Sequence, residues 1–216
     1  MRKLLLAAAF GAMFASAASA APIITVGQTS NSNTITATDN GTTTTISGSN
    51  ILANITQIFG GSAVSGVFFN LAASSIDAAI TVGNAIIQHF NGSFCVSSAT
   101  GCGGIDYLSG SFTDAAFGAN GGPGLVINTN NPPDQLTLTS DVIPASELGA
   151  PNALNFIFAN LTPVLHLDGT TIGAFTSSIG ADASASTVTV PEPGALAVLG
   201  IGLLGIGIAK RVRRSA

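Results

Sequence analysis

The dipeptide Asn40-Gly41 stands between two threonine-rich stretches, Asn33 to Thr38 and Thr42 to Ser47, in which apolar and polar residues alternate. Asn-Gly is the best two-residue hairpin turn, because both central positions of that turn need positive φ. A turn centred there sets Ile35 opposite Ile46, so the large apolar residues of the two arms pair on one face. A second hairpin is expected at Asp168-Gly169, between Val164–Leu167 and Thr170–Ile172. It pairs Leu165 with Ile172 and sends His166 and Asp168 to the wetter face.

The remaining pattern is also β. Ile76, Ile80 and Ile87 fit a helical spacing, but Thr81-Val82 and Ile86-Ile87 are β-branched and Gly83-Asn84 breaks the run, which favours strands. Ile86, Phe90, Phe94 and Val96 share one face if the next strand is continuous; Asn91-Gly92 as a turn is the alternative. Gly92-Ser93-Phe94 recurs as Gly110-Ser111-Phe112, which suggests two neighbouring strands. Further strands are expected at 124–128, 136–142, 154–159 and 175–179, separated by turns rich in Gly, Asn and Pro. Many short strands at such spacing predict an all-β, antiparallel sandwich or jelly-roll-like domain. It occupies residues 21–180, and the small, polar stretch 181–190 reads as a stalk.

Charge sets the termini apart. The six basic residues are Arg2, Lys3, Lys210, Arg211, Arg213 and Arg214, so none lies between Leu4 and Ala209. The domain between carries nine acids, Asp39, Asp77, Asp106, Asp114, Asp134, Asp141, Glu147, Asp168 and Asp182, and a formal charge of −9. Nucleic acid as a partner is excluded, since its binding needs lysine and arginine to displace counterions. Phosphate-bearing cofactors lose their usual clamps as well, and no cofactor is expected.

Residues 1–20 read as a secretory signal peptide: basic Arg2-Lys3, an apolar core from Leu4 to Ala15, and the small-x-small site Ala18-Ser19-Ala20 before Ala21. Signal peptidase is the implied partner. At the other end, residues 191–216 begin with Pro191-Glu192-Pro193. A 15-residue apolar run follows, 195–209, and then the basic cluster Lys210, Arg211, Arg213 and Arg214. As a transmembrane helix the run spans about 22 Å, short of a bilayer core of about 30 Å. Snorkelling basic side chains make up part of the deficit. Such clusters stay cytoplasmic, which leaves the rest of the chain outside the inner membrane. Gly200, Gly202 and Gly205 match G-x-G-x-x-G, but with no strand before them and no acid after them they do not make a dinucleotide site.

This order of tripeptide, apolar run, basic cluster and chain terminus resembles the PEP-CTERM sorting signal of Gram-negative bacteria. That tail has also been labelled an ice-binding protein C-terminal domain. The resemblance covers about 25 residues of the chain. It implies processing by an exosortase, transient anchoring in the inner membrane, and delivery to the outer surface or extracellular matrix, in a setting of exopolysaccharide and biofilm.

Few residues invite chemistry. Cys95 and Cys102, the only cysteines, make an even pair in an exported chain and read as a disulfide closing a hairpin loop. His89 and His166 are the only histidines, and His166-x-Asp168 would suit a metal or a general base only with further ligands nearby. No G-x-S-x-G or H-E-x-x-H motif occurs, and neither catalysis nor a metal site is expected. Asp39-Asn40-Gly41 begins like a calcium loop without the later ligands. Threonines at alternate positions form short, interrupted ranks, ordinary for wet strand faces. The function expected is therefore a structural or adhesive surface protein. The alternative is an extracellular carbohydrate-binding module using Asn, Asp and Tyr107, with no tryptophan to stack on a sugar.

Overall fold

A computed structural model describes residues 21–185 apart from positions 84, 119–122, 131, 150 and 151. The signal peptide with Ala18 and Ala20, positions 186–190, Pro191, Glu192 and Pro193, the apolar run 195–209 and the basic cluster 210–214 lie outside the described residues. Among the described residues no helix is long and apolar enough to cross a membrane.

The described residues are all-β and antiparallel apart from one short 3-10 turn, Ala145–Glu147. The strands are β1 (Ala21–Gln28), β2 (Ile35–Asp39), β3 (Thr44–Ile58), β4 (Val64–Ser75), β5 (Ile80–Val82), β6 (Ala85–Ala99) and β7 (Gly103–Phe117). There follow β8 (Gly124–Asn128), β9 (Gln135–Thr139), β10 (Asn152–Thr162), β11 (Leu167–Asp168), β12 (Thr171–Ile172) and β13 (Phe175–Ala185). Instead of two separate layers, one sheet closes on itself. The path β6-β4-β3-β1-β13-β10-β8-β7 returns to β6 through a long β6–β7 pairing, making an eight-stranded ring, with β5 bonded to β6 alone and β9 to β7 alone.

The ring is filled. Phe156 on β10 touches Phe69 on β4, Phe94 on β6 and Phe112 on β7 at ring-centroid distances of 5.9, 5.3 and 6.0 Å. In ring order β4 is four strands from β10, so opposite walls meet and the interior packs as a sandwich core does. Phe90, Phe117, Phe158 and Phe175 continue this cluster towards one end.

Two columns of the ring are interrupted. β1 and β2 lie in series, both pairing with β13 and β3. Gln28 bridges the break: its Oε1 accepts from Ile179 N–H (3.2 Å) and Thr34 Oγ1 (2.8 Å), and its Nε2 donates to Ser32 O. β8 and β9 likewise follow one another along β7.

Three expectations are corrected. In the first hairpin Ala37, not Ile35, faces Ile46, while Ile35 pairs with Ser177. The turn is four residues, Asn40 to Thr43, because Asn40 Oδ1 caps the Thr42 and Thr43 N–H groups at 3.0 and 2.8 Å. In the second hairpin Leu167, not Leu165, faces Ile172, and the turn moves to Gly169-Thr170. Both shifts are by two residues, so each side chain keeps its face. Finally, residues 181–185 of the expected stalk are the end of β13, bonded on one side to β1 and on the other to β10, with Ala181 and Ala183 buried.

The segment 85–99 is a continuous strand, so Asn91-Gly92 is no turn. The two Gly-Ser-Phe tripeptides are neighbours and face each other directly: Gly92 opposite Phe112, Ser93 opposite Ser111, Phe94 opposite Gly110.

Candidate functional site

One end of the ring is covered by a plug, the β11–β12 hairpin. It is held by Gln88, which is fully buried on the same strand face as Phe90. Gln88 Oε1 accepts from Ile172 N–H at 3.0 Å, and its Nε2 donates to Asp77 O at 2.8 Å. Buried Thr44 donates through Oγ1 to Ile172 O at 2.6 Å. Asp39 Oδ1 accepts from Thr171 Oγ1 at 2.7 Å, and Ala79 N–H donates to Thr170 O. The sequence signal was a polar residue in phase with Ile86 and Phe90, where alternation calls for an apolar one.

Beside the plug, His89 Nδ1 lies 2.6 Å from Asp77 Oδ2, while Asp77 Oδ1 accepts the His89 backbone N–H at 2.9 Å. The carboxylate thereby folds residues 76–79 back against β6, and Ile76 N–H bonds His89 O. His166 is elsewhere: its Nδ1 is 3.0 Å from Val164 O and its ring packs where a Gly173 side chain would stand. His166 and Asp168 are exposed, as expected, and no hydrogen bond joins them. Among the described residues no three His, Cys, Asp or Glu side chains converge as metal ligands. A pocket of about 460 Å³ at this end is lined by Ile86, Pro123, Phe158, Leu161, Val164 and Leu165, with Asn160 as the one polar side chain among the described residues that line it.

The opposite end carries the disulfide. Cys95 and Cys102 are bonded, closing the β6–β7 hairpin. Two asparagines clamp its tip: Asn70 Nδ2 donates to Cys95 Sγ at 3.4 Å, and Asn50 Oδ1 accepts from Gly101 N–H at 2.7 Å. Asn70 Oδ1 in turn accepts from Asn50 N–H. Neither asparagine stood out in sequence.

Tyr107 is half-buried beside a polar cluster. Asp106 N–H donates to Asp141 Oδ2 (2.8 Å), Ser109 Oγ to Asp106 Oδ1 (2.6 Å), and Ser140 Oγ to Tyr107 O (2.7 Å).

The outer wall has its own order. Thr176, Thr36, Ser47, Ala72, Ser93, Ser111 and Thr137 are successive cross-strand partners on β13, β2, β3, β4, β6, β7 and β9. All but the half-buried Thr176 are exposed. Ranks that looked short along each strand thus join across strands into one uncharged row, hydroxyl-bearing except at Ala72.

The barrel geometry alone assigns no activity; the match that exists falls on the C-terminal sequence. The family model described as the PEP-CTERM protein-sorting motif matches residues 189–214, so the chain is a PEP-CTERM domain-containing protein. That tail implies export and processing by an exosortase. No curated protein and no solved structure matches the chain.

Proposed function

We propose that the barrel is a structural or adhesive surface domain, cut from its signal peptide, anchored transiently in the inner membrane by a tail helix at 195–209, and then passed to the outer surface or matrix. The observation that carries this is the uncharged row of small residues across seven strands, a contact face on a filled barrel. Extracellular polysaccharide is the partner such a face would meet through hydroxyl hydrogen bonds. A carbohydrate-binding module is the second reading, favoured by Tyr107 beside Asp106 and Asp141. Purified barrel on a glycan array separates the two. Discrete saccharide hits abolished by Tyr107→Ala support the module. Retention on whole extracellular polysaccharide, weakened by Ser93→Glu and Ser111→Glu but not by Tyr107→Ala, supports the adhesive face. No retention by either overturns both.

A further inference from the structure

The charges of the barrel are unevenly placed. β3, β4 and β6, neighbours in the sheet, contain no Asp, Glu, Lys or Arg. His89 is their one titratable side chain besides the disulfide-bonded Cys95. The residues these strands turn outward form two rows. Thr45, Ser74 and Asn91 are successive cross-strand partners, and Thr38 on β2 extends their row. Ser47, Ala72 and Ser93 make the second row, two residues further along each strand. All are exposed except the half-buried Ser74. Members of a row stand about 4.8 Å apart and the rows about 7 Å apart. The result is a close grid with no side chain larger than asparagine.

Carboxylates frame this grid. Asp39 ends β2 opposite Thr44, and Asp77 pairs with His89, two residues before Asn91. Asp114 on β7 donates its N–H to Asn91 Oδ1 at 3.0 Å. No lysine or arginine occurs between Leu4 and Ala209.

That distribution selects a partner. Protein interfaces are anchored by aromatic residues and arginine seated in pockets, and the grid offers neither. An anionic polymer would meet the framing carboxylates and no cation, a repulsion that acts over about 8–10 Å in ordinary salt. A neutral, hydroxyl-rich polymer meets no such cost. Each hydrogen bond it gains is weak on its own, so its hold comes from many made at once, which a repeating grid supplies.

Resting on the adhesive reading above, we propose that the outer face of β3, β4 and β6 is the contact site and that its partner is an uncharged polysaccharide laid across these strands. Ala72 places a methyl group between Ser47 and Ser93. The apolar face of a sugar ring rests on that methyl while the two hydroxyls reach the ring's edges.

The test uses the exported chain as its host delivers it. Whole extracellular polysaccharide is split by ion exchange into neutral, acidic and basic fractions, and each is immobilised. A chelator is present throughout, so that no divalent cation bridges carboxylates. We expect retention on the neutral fraction, alike in low and high salt, and none on the acidic one. Thr45→Glu and Ser47→Glu each remove a hydroxyl and add a charge, and should weaken retention about tenfold. Ile157→Glu adds the same charge at an exposed position of β10, four strands from β4 in ring order, and should change nothing. An unaltered urea midpoint shows that each variant is folded. Equal retention on neutral and acidic fractions overturns the proposal and leaves the adhesive reading standing. Retention weakened by Ser111→Glu but by neither Thr45→Glu nor Ser47→Glu overturns the placement on β3, β4 and β6 alone. Binding confined to the basic fraction and lost in salt is ion exchange, and it overturns the neutral partner. Retention on no fraction removes the adhesive reading and this proposal together.

Discussion

Gly92 on β6 stands directly opposite Phe112 on β7, and a Cβ on Gly92 would lie 2.5 Å from the phenyl Cζ. The relation is reciprocal: a Cβ on Gly110 would lie 2.9 Å from Cε1 of Phe94. Each Gly-Ser-Phe tripeptide thus uses its glycine to seat the ring of the other, at the seam where the barrel closes. Gly92→Ala should destabilise by about 1–3 kcal/mol, the usual cost of overpacking. A shorter partner, Phe112→Leu, should not rescue it, since the same Cβ meets Ala72 O at 2.5 Å and backbone cannot yield as a ring can. Urea unfolding of the single and double variants checks both points; full rescue would mean the ring alone is the obstacle.

Gln88 links the plug to the wall. In Gln88→Leu, the buried Ile172 N–H loses its acceptor, while Asp77 O, on an exposed loop, can turn to water. One unsatisfied buried donor predicts a loss of about 1–3 kcal/mol. Hydrogen exchange should localise it: the Ile172 amide should exchange at least tenfold faster, with the Phe94 and Phe112 amides little changed. Uniform acceleration would show that the plug is not a separable unit.

The Cys95–Cys102 bond closes a loop of eight residues, worth about 2.5 kcal/mol in the chain-entropy model. Cys95→Ala or Cys102→Ala should therefore lower stability by no more than about 2–4 kcal/mol. Asn50 and Asn70 should keep the hairpin tip in place. Native exported protein should show no thiol that labels with a maleimide, and ready labelling would contradict the bond.

Side-chain faces were legible in the sequence, but register was not. Alternation fixes which residues point inward, so Ile35, Ile46 and Ile172 are buried in either register. Loop length depends on whether Asn40 caps the turn with its side chain, which the dipeptide Asn-Gly does not reveal. Ring closure has no local signature either, except that the repeated Gly-Ser-Phe segments turned out to be partners. Residues Ala181 to Ala185 read as a stalk because they are small. A strand bonded on both sides needs no bulky side chains, and here Ala181 and Ala183 are buried opposite Phe156 and Ile24. Gln88 and the asparagine clamp act through bonds to distant segments, which spacing cannot show.

Mature protein should begin at Ala21. Ala21 lies in β1 and pairs with Ala185, so cleavage after Ala20 keeps that pairing. Loss of Ile23 and Ile24, each 2% exposed, would remove two core side chains, at about 1.5–3 kcal/mol apiece. N-terminal sequencing of exported protein gives the answer, and a start beyond Ile24 would refute it.

The tail divides recognition from retention. Two prolines in Pro191-Glu192-Pro193 disfavour helix and favour extended chain, the conformation a protease needs. A 15-residue apolar run is short for a bilayer, so on the anchoring proposed above the cluster Lys210, Arg211, Arg213 and Arg214 is expected to supply much of the hold. Replacing the tripeptide by Ala-Ala-Ala should leave export intact and trap full-length protein in the inner membrane. Deleting positions 210–214 should instead weaken stop-transfer and let uncut precursor escape. Both outcomes are read by fractionation with an antibody to the barrel, in a host that carries the exosortase. Triple-alanine protein that still reaches the surface cut as before would reduce the tail to a plain anchor.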